Sequence, residues 1–170
     1  MRTPTRGFTL IEIMVVLVLV GIITSFALLA VGGGPQERLA EEARRLAALV
    51  ELHQQEAILR GEPRGIRFTR AGYAILSLGE KGQWQPLTAA ATLVRHELPK
   101  EIALGLWIEG QRIDLKAAPP LPQILLLASG EVTEFVTTFS LADAQQYDTP
   151  LYQVAGDFQG RLTVGAVNRR

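Results

Sequence analysis

From Phe8 to Val31 the sequence is almost unbroken hydrocarbon: Phe-Thr-Leu-Ile-Glu-Ile-Met-Val-Val-Leu-Val-Leu-Val-Gly-Ile-Ile-Thr-Ser-Phe-Ala-Leu-Leu-Ala-Val. As one helix this run would be roughly 36 Å long, enough to cross a hydrocarbon core of roughly 30 Å. Such a run needs a bilayer or other apolar helices around it, because apolar residues leave no face for water. Arg2 and Arg6 precede it, so the positive-inside rule keeps the N-terminus cytoplasmic and sends the rest of the chain across. Glu12 is the one ionisable residue in the run, where an unpaired carboxylate costs a few kcal/mol. Two readings of it are open. An acid at the helix end can reach the headgroup layer. Alternatively, a free amine on Phe8, made by cutting after Gly7, supplies an ammonium partner, and attraction is strong in a low dielectric. That amine belongs to the same chain or to a neighbouring subunit, and only the second pairing would register subunits.

Arg6-Gly7-Phe8-Thr9-Leu10-Ile11-Glu12 resembles the type IV prepilin signature: a short basic leader ending in Gly, then Phe, then Glu fifth in the mature chain, with an apolar helix following. The resemblance implies that a membrane peptidase cuts between Gly7 and Phe8 and methylates the new N-terminal Phe8. It assigns processing to Gly7 and Phe8, and assembly to Glu12. Losing the leader removes two of 17 basic side chains against 17 acidic ones, a net charge of −2 for the mature chain. The competing readings are a plain signal anchor and a secretory signal peptide cut near Ala30-Val31-Gly32. The apolar run exceeds the usual signal core of roughly 7–15 residues, and cleavage there would discard the anchor.

Gly32-Gly33-Gly34 interrupts the helical pattern and allows a bend, and Pro35 suits the first turn of a new helix. Gln36–Arg60 reads as amphipathic. Leu39, Ala43, Leu46, Val50, His53 and Ala57 recur at four- and three-residue steps, with Ala47, Leu49 and Ile58 widening the stripe. Glu37, Arg38, Glu41, Glu42, Arg44, Arg45, Glu51 and Gln55 fill the other side. His53, on the stripe, is expected to be a satisfied core histidine rather than a ligand.

After Pro63 the pattern turns to period two. A hairpin is expected from Gly65–Thr69 and Tyr73–Leu78, and further strands at Leu93–Leu98, Ala103–Ile108 and Arg112–Leu115. Gln123–Ala128 turns through Ser129-Gly130-Glu131 into Val132–Phe139, and Leu151–Ala155 pairs with Arg161–Ala166. Ala117–Pro122 holds three prolines and is a loop. The fold class expected is α+β: a long N-terminal hydrophobic and amphipathic helix packed on an antiparallel sheet or sandwich, as in pilins. The division expected is a leader at 1–7, a transmembrane and filament-core helix at 8–31, a hinge and amphipathic helix at 32–60, and a periplasmic β-rich head at 61–170.

Pro122-Gln123-Ile124-Leu125-Leu126-Leu127-Ala128-Ser129-Gly130-Glu131-Val132-Thr133, followed by Phe135, resembles the C-terminal pattern of the H-type minor pseudopilin family of type II secretion. The resemblance implies a structural subunit at or near the tip of a secretion pseudopilus, assisting export of folded proteins. Its implied partners are other major and minor pseudopilins, the prepilin peptidase, the inner-membrane secretion platform and the membrane itself. The alternative within the same superfamily is a type IV pilus minor pilin acting in pilus assembly or DNA uptake.

No enzymatic chemistry or cofactor is expected. Zero cysteines exclude disulfide frameworks, thiol nucleophiles and Cys-based zinc sites. Ser129 lacks the glycine two residues earlier that a nucleophile elbow needs. Two histidines, and aspartates scattered at 143, 148 and 157, suggest no metal site. Balanced charge argues against DNA as a partner, and Arg161, Arg169 and Arg170 are the basic residues on which a DNA contact would have to rest.

Overall fold

The computed structural model describes residues 9–30, 34–79, 81–87, 94–116, 119–143 and 151–167. The chain divides into two compact units, Met1–Gly34 and Pro35–Arg170. Among its described residues the first holds one helix, α1 (Leu10–Ala30). The second holds, among its described residues, helix α2 (Pro35–Arg60) and ten strands.

Helix α2 starts and stops where its sequence dictates. Pro35 occupies the first turn, where its missing N–H leaves nothing unpaired. At the other end Gly61 takes φ +67°, Glu62 N–H donates to Ala57 O at 3.2 Å, and Gly61 N–H donates to Ile58 O at 3.4 Å. This is a Schellman cap, closed by the following Pro63. Leu39, Ala43, Leu46, Ala47, Leu49, Val50, His53 and Ala57 are all buried. Two of the expected positions differ. Ile58 is half exposed although Ala57 beside it is fully buried, and Glu42, assigned to the polar side, is buried.

Sheet I comprises β1 (Arg64–Thr69), β2 (Gly72–Leu78), β3 (Trp84–Pro86), β4 (Arg95–Glu97) and β7 (Ile124–Leu126). Its order is β3-β2-β1-β7, with β4 also pairing β2. The β1–β2 hairpin turns where expected, with Thr69 opposite Gly72. A Cβ on Gly72, which has φ +148°, would strike the carbonyl oxygen of His96, so the absent side chain lets β4 dock. Sheet II comprises β5 (Ile102–Ile108), β6 (Gln111–Arg112), β8 (Phe135–Leu141), β9 (Leu151–Gly156) and β10 (Leu162–Val167), in the order β10-β9-β8-β5-β6. All the pairings are antiparallel.

The expected Gln123–Ala128 and Val132–Phe139 hairpin is real only near its turn. Leu126 bridges Val132, Leu127 N–H donates to Glu131 O at 2.8 Å, and Thr133 N–H donates to Leu125 O at 3.0 Å. Beyond Thr133 the chain leaves sheet I, and β8 begins at Phe135 in sheet II. This crossing joins the sheets over one core, which Leu39, Leu46 and Val50 of α2 share with Ile66, Phe68, Ile124, Phe135, Phe139 and Val154. Strands β4, β6 and β7 are shorter than the expected segments, with pairing confined to Arg95–Glu97, Gln111–Arg112 and Ile124–Leu126.

Candidate functional site: the N-terminal segment and the surface of the head

Gly7 and Phe8 lie outside the described residues, as do Arg169 and Arg170. Glu12 stands in the first turn of α1 and is exposed. Its backbone N–H donates to Thr9 O at 3.1 Å and to Thr9 Oγ1 at 3.3 Å. Thr9 is therefore the N-cap and Glu12 the third helical residue, the Thr-x-x-Glu arrangement of a capping box. A carboxylate there also sits at the positive end of the helix dipole. This local role for Glu12 was not among the sequence expectations, although the spacing carries its signal.

Around α1 every described apolar side chain from Leu10 to Ile23 is exposed, Leu10 at 79% and Ile23 at 67%. Only two hydroxyls interrupt that surface near its end, and both are satisfied within the helix. Thr24 Oγ1 donates to Val20 O at 2.7 Å and Ser25 Oγ to Gly21 O at 2.9 Å, so neither needs water. The backbone helix has 21 residues, about 32 Å. Among the residues whose side chains are described, no helix is long and apolar enough to cross a membrane.

The head's polar groups are engaged in holding the fold. His53, 2% exposed, faces Glu56 with Nδ1–Oε2 3.3 Å. Glu42 is buried because His96 of β4 covers it, Oε2 to Nε2 at 2.6 Å. Ser129 Oγ reaches Glu131 Oε2 at 3.2 Å in an exposed turn, as a turn residue would. Arg161 is tied to Asp157, with Nε–Oδ2 2.9 Å. Donation from the Arg161 backbone N–H, seconded by its side chain, holds the Asp157 carboxyl below the ordinary carboxylate range. On the outer face of sheet II a groove of about 680 Å³ is floored by Gly105 and flanked by Trp107 and Arg112. The guanidinium lies 5.7 Å over the indole, a cation–π contact. Among the described residues no group of three His, Asp or Glu is placed to hold a metal.

Similarity to known proteins runs through both units. Residues 2–28 match the prokaryotic N-terminal methylation motif, and residues 42–160 match the type II transport protein GspH. Type II secretion system protein H of Pseudomonas aeruginosa is 35% identical over 142 residues, covering 77% of this chain and 80% of that protein. The protein of the same name from Aeromonas hydrophila is 30% identical over 174 residues, covering 95% and 93%. The fold is similar to the crystal structure of the minor pseudopilin EpsH from the type II secretion system of Vibrio cholerae. That match has a TM-score of 0.66 at 20% identity, over 78% of this chain and 98% of that one. It is also similar to the solution structure of E. coli GspH, with a TM-score of 0.60 at 24% identity, over 79% and 91%. A helix apolar on all sides, a methylation motif at its start and a two-sheet head built on α2 thus occur in one chain, and that chain belongs to the type II transport protein GspH family.

Proposed function

We infer that the chain is a minor pseudopilin, a structural subunit of a type II secretion pseudopilus, and that its work is assembly rather than catalysis. The observation that carries this is the joint match of the methylation motif and the GspH family over one chain, whose first helix leaves its apolar side chains uncovered. Such a helix rests in the inner membrane while the subunit waits, and moves among similar helices once the subunit joins a filament. Lipid and protein are comparable surroundings for it, so packing and polar contacts must tip the balance.

In this reading the N-terminus is cytoplasmic, α1 crosses the inner membrane once, and the head is periplasmic. The prepilin peptidase cuts after Gly7 and methylates Phe8. Glu12 then meets the Phe8 amine, its own or a neighbour's, while its backbone stays capped by Thr9. The partners are other major and minor pseudopilins and the inner-membrane platform. The subunit sits at or near the pseudopilus tip and helps drive folded proteins across the outer membrane.

The test is replacement in a secreting host. A strain lacking this gene should lose export of its secreted proteins and regain it with the wild-type chain. Retained export without the gene would overturn the assignment.

A further inference from the structure

The inner face of sheet I runs past the end of α2, and the space left there is basic. On β1, Arg64 shares the face of Ile66 and Phe68, since alternate residues of a strand point the same way, and all three are buried. The Arg64 side chain is 3% exposed. Its Nη1 reaches Glu62 Oε2 at 3.2 Å, and its Nε has no hydrogen-bond partner. A guanidinium carries five donors in a planar fork, and leaving one buried without an acceptor is costly.

Arg64 lines an open cavity of about 600 Å³, together with Arg60, Lys81, Ser77, Gln85 and Glu62. Among the described residues three cations there face one carboxylate, and the neutral polar side chains, the Ser77 hydroxyl and the Gln83 and Gln85 amides, can all donate. Arg60 stands in the last turn of α2, and Lys81 follows the end of β2. The rim is partly apolar. Leu78 and Leu87 line the same cavity, and Leu78 is 37% exposed.

We propose that this cavity receives an acidic side chain, Asp or Glu, from another protein, with Arg64 as the buried fork and Arg60 and Lys81 as the cations that steer it in. A carboxylate matches the planar edge of a guanidinium with two parallel hydrogen bonds. Leu78 and Leu87 give the flanking peptide an apolar seat, for which a free inorganic ion has no use. The proposal rests on the assembly reading only in taking the partner to be a protein subunit. Its test does not pass through filament formation, so either can fail alone.

The test uses the full chain, ¹⁵N-labelled in detergent micelles, with the Arg64 Nε–H resonance followed and identified by its loss in Arg64→Lys. The probes are an acetylated, amidated Glu-Leu-Glu peptide, the Gln-Leu-Gln peptide and inorganic phosphate. The expected result is a saturable shift with the glutamate peptide, none with the glutamine peptide, and a weaker response to phosphate. Lys81→Gln and Arg60→Gln, both at exposed positions, should each weaken peptide binding about two- to fivefold, the scale of an exposed charge. No saturable shift, or one unchanged in both variants, overturns the site. Phosphate binding as tightly as the peptide overturns the protein-borne ligand.

Discussion

Glu42 Oε2 of α2 lies 2.6 Å from His96 Nε2 of β4, with 11% and 16% of the two side chains exposed. The contact joins the helix to a strand of only three residues, whose backbone pairs with Gly72–Ala74 of β2. Tyr73 completes the cluster, its ring centroid 5.3 Å from that of His96. Replacing His96 by Ala leaves a buried carboxylate without its partner and should cost about 1–3 kcal/mol. In a urea double-mutant cycle Glu42→Ala and His96→Ala should couple by about 1–2 kcal/mol. Additive losses would remove the pair from the account of how β4 is held.

The Tyr73 hydroxyl is buried and has no hydrogen-bond partner among the described residues. Burial, reinforced by the Glu42 charge and partly opposed by Arg45, pushes its phenol well above the ordinary value. In the unfolded chain the phenol ionises near pH 10, while in the folded chain it stays neutral. Stability is therefore full below about pH 10 and is lost as the pH rises above it. Tyr73→Phe should be neutral at pH 7, within about 0.5 kcal/mol, and should reduce the alkaline loss. Thermal melts at pH 7 and pH 11 check both halves, and an unaltered alkaline slope would contradict the second.

Asp157 works in the opposite direction. Its carboxyl accepts the Arg161 backbone N–H at 2.9 Å and faces Arg161 Nε at 2.9 Å across the β9–β10 turn, which lowers its pKa. The folded state thus favours the ionised form. The stabilisation is present above the ordinary carboxylate range, near pH 4, and fades as the pH falls through the lowered value. Asp157→Asn should lower the melting temperature at pH 6 and leave a smaller difference at pH 3. An equal difference at both would show that the charge is irrelevant to the turn.

Much of the head was legible from the chain alone. The stripe from Leu39 to Ala57, the Arg70-Ala71-Gly72 turn and the terminal hairpin follow from periodicity and turn chemistry, both of which are local. Glu42 was not, because its burial depends on β4, which is 54 residues away at His96. The change of sheet between Leu126 and Phe135 was likewise hidden, since alternation tells which residues share a face but not which sheet receives them. Near the N-terminus the Thr9–Glu12 cap is written in four consecutive residues, yet the charge on Glu12 draws attention away from its backbone. Arg64 lies outside the strand expected from the sequence, which begins at Gly65, whereas β1 begins at Arg64. Once β1 extends to it, alternation with Ile66 and Phe68 turns its side chain inward.

Glu12 carries the assembly claim. Glu12→Val removes the carboxylate and keeps the backbone N–H that Thr9 caps. Leader removal should proceed at a normal rate, read from the mobility of the mature band, while incorporation into sheared filaments should fall at least about tenfold, the effect of losing about 1.4 kcal/mol. Normal incorporation would leave Glu12 as no more than a helix-end acid. Gly7→Ala should instead slow leader removal and leave a precursor band.

Assembly by this route requires a new amine to be made beside an apolar helix. Intact-mass spectrometry of the chain purified from its own membrane should find the first residue to be Phe8, one methyl group heavier than the bare sequence. A chain that still begins at Met1, or one that begins beyond Val31, would contradict it.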